Sequence, residues 1–342
     1  MNATTPDPAR RWSLTIDLMV LSPMCAEYII GYDTSTGDPA VLLGSLLIFA
    51  PLYGAPAVLI REAARRSGAG WPGIVALSAA FGILQAGVVD QSMFSESYRE
   101  IDYWEALVRT TWIGPLGLSA YATMVFLVGH VIWSFCIPIA LVESLSPGMA
   151  DRPWLRAPGL ILVGLLYLAA AALVLDDHLE TERDHASAAQ VAGSLGVAVG
   201  LAILGLAVCR PGPGDRETGV PGPLAVGVLG LVAAILYNLM PESWAGFSGG
   251  MAILAVGAAT VSLWSRSGRW GRRHVIALAT GVLMARALFG FLIEPLGDVP
   301  PVAKYSHNAG FLLGAALLGL WAWSRNRPVP TESIEDGDRV PA

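Results

Sequence analysis

Charge is what this sequence lacks most. Asp, Glu, Lys and Arg together make up 14% of 342 residues, against about 25% in a soluble domain. A water-facing surface cannot be built from so few charges, and a soluble globular fold is excluded. Lysine is almost missing. Lys304 is the only one, beside 20 arginines, a bias that reflects GC-rich bacterial coding rather than function. Cysteine is scarce as well. Cys25, Cys136 and Cys209 all fall in apolar runs, show no disulfide or zinc spacing, and read as small apolar side chains. Alternation at period two is not visible, which argues against a membrane β-barrel. No nucleotide-binding motif is present, and nothing points to a cofactor, a metal site or a nucleic-acid partner.

What is there is apolar: 54% of the chain, with a mean hydropathy of +0.57. The apolar residues gather in blocks of about 20, the length that crosses a ~30 Å hydrocarbon layer as helix. The expected fold is all-α, a polytopic integral membrane protein whose partner is the lipid bilayer. The blocks place ten spans at 12–31, 40–60, 71–90, 117–144, 157–176, 187–209, 221–240, 243–264, 273–296 and 303–325. The organisation expected is a cytoplasmic N-terminus (1–11), one membrane domain (12–325) and a disordered cytoplasmic tail (326–342). The run Trp12–Ile30 after Arg10 and Arg11 is longer than the 7–15-residue core of a cleaved signal. In L-S-P-M-C at 21–25, Met24 stands where a lipoprotein signal needs a small residue.

Arginine sets the orientation. Arg61, Arg65, Arg66, Arg152, Arg156, Arg210, Arg216, Arg266, Arg269, Arg272 and Arg273 fall in alternate loops, on the side of Arg10, Arg11, Arg325 and Arg327. The opposite loops hold only Arg99, Arg109, Arg183 and Lys304. Both termini are therefore expected inside, in a bacterial cytoplasmic membrane. The outward loop 91–115 carries apolar residues from Ile101 to Trp112 at helical spacing, which predicts a short helix lying in the interface with tryptophans and tyrosines at headgroup level. The acidic outward loop 176–186 reads as solvated; it lacks the glycine and alternating ligands of a calcium loop.

Ionisable side chains inside a membrane cost at least ~2.5–3.5 kcal/mol each, so they face protein or water. Six are candidates for solute binding or proton coupling: Glu27, Asp90, His130, Arg286, Glu294 and His307. Asp17 and Glu143 lie near span ends, where snorkelling to the interface accounts for them. Arg286 has only Val282, Leu283, Phe289 and Gly290 one turn away, so its partner has to come from another helix or from water. Side chains lean toward the N-terminus of their helix. Glu27, Asp90, His130 and Arg286 then converge in the outer half of the membrane, in a polar pocket. Pro23, Pro51, Pro56 and Pro138 interrupt early spans, and each removes a helical hydrogen bond. Gly196 and Gly200 stand at the small-xxx-small spacing of close helix packing.

Two segments, Glu62-Ala-Ala-Arg-Arg66 and Phe126-Leu-Val-Gly-His130, resemble parts of the motifs of intramembrane CAAX-type proteases. Arg61 replaces the leading glutamate, and the later histidine motif does not follow. Ten spans with both ends inside are similar in layout to drug/metabolite-type transporters, built from two inverted five-span halves, yet no repeat relates the halves here. Three functions are consistent with the residues. One is a secondary transporter or permease for a small solute, and another is an enzyme acting on a lipid or lipid-linked substrate at the outer leaflet. The third is a non-catalytic assembly partner.

Overall fold

Among the described residues, ten long helices carry the fold, at the places where the apolar runs put them. The computed structural model describes residues 8–209 and 219–326. The tail from residue 327 onward and the loop with Arg210 and Arg216 lie outside the described residues, as do residues 1–7. In chain order the helices are α1 (Pro8–Ile30), α2 (Pro39–Ser67) and α3 (Gly70–Val89). A six-residue α4 (Trp104–Arg109) and a hairpin, β1 (Trp112–Ile113) and β2 (Leu118–Ser119), follow. Then come α5 (Ala120–Leu145), α6 (Ala157–Thr181) and α7 (Ala188–Val208). The chain continues with α8 (Pro223–Asn238), α9 (Trp244–Trp264), α10 (Arg272–Gly290) and α11 (Pro301–Arg325). Eight are long and apolar enough to cross a membrane. Of the other two long helices, α8 has only 16 residues, and α11 opens on the polar run Lys304–Asn308.

Several starts are fixed by side-chain caps. Asp38 accepts from the amides of Ala40 and Val41, and Ser119, Ser187 and Ser243 accept from amides three residues on. These caps satisfy donors that a helix cannot.

Burial separates a centre from a periphery. In α1, α2, α3, α5 and α10, 44–61% of the most apolar stretch is buried, against 11–22% in α6, α7 and α9. The centre holds every charged candidate that ends up inside; the periphery presents leucine, valine and isoleucine outward, as lipid-facing helices do. The tightest pair is α8 against α10. A Cβ placed on Gly227 would meet the Ala277 carbonyl oxygen at 2.9 Å, and one on Gly281 the Gly227 carbonyl carbon at 3.0 Å. Only glycine permits that approach. Gly196 and Gly200 face open space instead, which corrects the expected packing stripe. Spacing marks a stripe of small residues but not whether a helix stands against it.

Three further expectations change. The ninth span ends at Gly290, not 296, because Pro295 disfavours helix at the residue before it and Gly297 takes φ +74°. The segment after Gly290 instead folds back, with the Leu296 amide donating to the Tyr32 carbonyl at 2.8 Å. The expected interfacial helix is only α4, and its tryptophan points inward. Trp104 is 5% exposed, stacks on Phe126 at 5.4 Å, and donates from its indole to the Ser95 carbonyl. The acidic loop is not simply solvated either, because it binds the neighbouring loop, as shown below.

Candidate functional site

Three central helices widen where the candidate residues sit. Ala50–Gly54 in α2, Gln85–Val89 in α3 and Gly129–Cys136 in α5 are π-helical turns, a distortion common at functional sites. Pro51, which has no N–H, lies in the first. Pro138 follows the third; its missing N–H frees the carbonyl of Ser134, which accepts from the Ser22 hydroxyl at 2.6 Å. The widened turns carry Tyr53 and His130 and end at Asp90.

Glu27 follows the last α-helical turn of α1, and the Tyr32 hydroxyl donates to its carboxylate at 2.7 Å. That carboxylate, and then burial, hold the Tyr32 phenol well above its ordinary pKa, so it remains a proton donor. Asp90 accepts from the Gln85 amide and the Ser92 backbone N–H, both at 3.0 Å. His130 contacts the Ser134 hydroxyl at 3.3 Å and stacks on Tyr53, ring centres 5.9 Å apart. Both Asp90 and Glu27 are within electrostatic range of His130, and Glu27 is within range of Arg286. Each of these four side chains keeps surface open to a water-sized sphere despite its place among packed helices. None of the four is fully sealed by its neighbours.

Arg286 has no carboxylate within 4 Å among the described residues. Its guanidinium lies over the Trp133 ring at 4.9 Å. A buried arginine–carboxylate pair, the plainest account of a guanidinium in a span, does not form here.

Glu294 and His307 stand apart. Glu294 is exposed in the loop after α10. The His307 Nε2 contacts the Tyr28 carbonyl at 2.7 Å, and its Nδ1 accepts from the Gly37 amide at 3.2 Å. With both nitrogens held by backbone, this ring pins the α1–α2 turn.

On one side of these residues the 96–99 segment is tied to the last turn of α6 and the turn after it, so the expected acidic loop begins as helix up to Thr181. Ser97 donates from its hydroxyl to Asp184 at 2.9 Å, and Arg99 donates to Asp177 at 2.9 Å. The backbone N–H of Arg99 also reaches both carboxylate oxygens of Glu182 at 3.1 Å. Acidic residues of 176–186 thus serve as acceptors for residues 96–99. Beneath them Tyr98 stacks on the buried His178 at 6.2 Å. Burial, and then Asp90, push the Tyr98 phenol up. The Arg99–Asp177 pair is half exposed, with side-chain exposures of 47% and 54%. Arg99→Ala is expected to change stability by less than about 1 kcal/mol while speeding amide hydrogen exchange at 95–99. A large loss of melting temperature would contradict this picture of a lightly held cover.

The other side is closed by ions. Arg61 is 0% exposed, pairs with Glu62 at 2.7 Å and Glu143 at 3.1 Å, and lies 3.5 Å from the centre of the Trp154 ring. Its Nη2 donates to the carbonyls of Met149, Ala150 and Arg152. Glu62 accepts from the amides of Trp154 and Leu155 at 2.7 and 3.2 Å and from Arg66 at 3.1 Å. Arg65 holds Glu143 through two bonds of 2.8 and 2.6 Å. Glu143 is thus buried in a salt-bridge cluster and does not snorkel. Adjacent residues do not face each other on a helix; Arg61 and Glu62 meet because the 146–156 segment passes under the end of α2.

Nearly all of this architecture lies within one matched stretch of sequence. A family described as an uncharacterized membrane protein family matches residues 17–325. The chain belongs to that family. No curated protein and no solved structure matches it. The matched range takes in both closures and all six candidate residues. Tyr32, Tyr53, Trp133 and Tyr237 also stand among these residues; as neutral rings they carry no charge that would mark them in the sequence. Pro51 near Tyr53 and Pro138 near Trp133 were the sequence signals beside them.

Proposed function

We propose that this membrane protein is a proton-coupled secondary transporter of a small solute. The observation that carries the reading is the meeting of Glu27, Asp90 and His130. They come from three helices, both carboxylates act electrostatically on the histidine, and all three residues stay partly exposed. A histidine within electrostatic range of two carboxylates is suited to passing a proton. The closures at the two ends favour transport over a fixed cleft, since alternating access needs each side to open in turn. Arginine placement supports a setting in a bacterial cytoplasmic membrane with both termini inside and the loop cover outside.

The test is reconstitution into dye-loaded proteoliposomes and a screen of small metabolites for solute-dependent acidification. The wild type is expected to acidify with at least one solute. Glu27→Gln, Asp90→Asn and His130→Asn should each cut that rate about tenfold or more, with folded protein retained. Wild-type rates in all three variants would overturn the assignment.

A second reading has its own support. An apolar groove of about 500 Å³, walled by Leu21, Met24, Leu42, Phe311 and Leu318, lies between α1, α2, α10 and α11. It is large enough for part of a lipid chain. An enzyme acting on a lipid or lipid-linked substrate would change that lipid's mass on incubation with the protein, which mass spectrometry reads directly.

A further inference from the structure

The chamber holds hydrogen-bond donors that have nothing to donate to. Arg286 Nε, Trp133 Nε1 and the Tyr237 hydroxyl are buried with no partner among the described residues. Buried donors in folded proteins are nearly always paired, so one orphan calls for a reason and three neighbouring ones call for a common reason. They are neighbours. The Arg286 guanidinium lies over Trp133 at 4.9 Å, the rings of Trp133 and Tyr237 are 6.5 Å apart, and Tyr237 is within electrostatic range of Arg286. Trp133 and Tyr237 are 3% and 7% exposed, while Arg286 keeps some surface open to the chamber.

The chemistry of the set selects the ligand. An indole N–H and a guanidinium can only donate, and a guanidinium does not lose its proton in a protein. A cation is repelled by Arg286. A neutral solute or a water molecule satisfies a donor but leaves the guanidinium without a directly paired acid, since Glu27 acts on it only from beyond 4 Å. A compact oxyanion does both, and the planar guanidinium fork matches two of its oxygens. The three residues come from α5, α8 and α10, so a ligand held there also bridges the two halves of the chain.

We infer that Arg286, Trp133 and Tyr237 form a binding site for the oxyanion group, carboxylate or phosphate, of the molecule this protein handles. This names the substrate class of the same chamber and rests on reading that chamber as a solute site. Binding is tested without a gradient, so failure of proton coupling leaves it standing.

The purified full chain in detergent is titrated with sodium phosphate and, separately, sodium succinate, at constant ionic strength set by chloride. Binding is read by calorimetry and by melting temperature. The expected result is saturable binding and stabilisation by at least one anion, and which anion acts tells phosphate from carboxylate. Arg286→Gln should abolish it. Tyr237→Phe should weaken it about five- to tenfold, yet leave the anion-free protein as stable as the wild type or more so, since it deletes an orphan hydroxyl. If Arg286→Gln does not fold, Tyr237→Phe decides alone. The inference fails if neither anion binds saturably. It fails equally if Tyr237→Phe binds like the wild type, or if that variant is markedly less stable without anion.

Discussion

Glu62→Gln is expected to lower the melting temperature by more than any single change in the chamber. The carboxylate accepts from two backbone amides and from Arg66, and it pairs with Arg61. All of this occurs where Glu62 and Arg61 are fully buried. A glutamine keeps the shape but brings an NH₂ where the Leu155 amide or Arg66 needs an acceptor. The Arg61 charge then stays buried with Glu143 as its one carboxylate, shared with Arg65. Breaking a buried ion cluster from one side costs about 3–5 kcal/mol, and a fall in melting temperature of more than about 5 °C is expected. Replacing Arg61 by methionine in the same background should recover part of the loss, because it removes the stranded charge. An unchanged melting temperature in Glu62→Gln would show that the cluster contributes nothing to holding α2 against the 146–156 segment.

Gly281→Leu should be more damaging still, and for a different reason. The new side chain would press on the backbone of Gly227 and on the Leu231 amide, 3.2 Å from its Cβ. Backbone cannot swing aside as a side chain can, so α8 has to move away from α10. Overpacking in a core costs about 1–3 kcal/mol; with rigid backbone on both sides the upper figure or more is expected, and little folded protein should accumulate. Gly200→Leu is the control, since nothing lies within 4 Å of that position. Size-exclusion profiles and melting temperatures of the two variants measure the contrast. Equal behaviour of the two would mean that the helices do not cross where the structure places them.

How much of this was legible beforehand depends on the kind of signal. Span positions were, because twenty apolar residues in a row have one physical use in a chain this poor in charge. The expectation that Glu27, Asp90, His130 and Arg286 converge rested on helix direction and side-chain lean alone. What was hidden depended on contacts between distant segments. Glu143 looked like a residue at a helix end with water nearby. Only Arg61 and Arg65, some eighty positions away, show that it is buried and paired. Trp104 fitted an amphipathic pattern, and only the position of Phe126 decides that it faces protein. Proline at 51 and 138 announced disturbed helix near two of the wide turns. Gln85–Val89 contains no proline, so nothing in its composition marked it.

The wide turn in α5 has a reach beyond His130. A π-helical turn holds more residues than the 3.6 of an α-turn, so everything past Cys136 is rotated about the axis relative to an unbroken helix. The phase of the lower half of α5 is thereby set by the upper half. Losing a single residue between Gly129 and Cys136 would turn the remainder by roughly 100°, carrying Glu143 away from Arg61 and Arg65. The length of one short stretch thus ties the position of His130 to that of the ion cluster around Glu143, and the two regions are constrained to vary together.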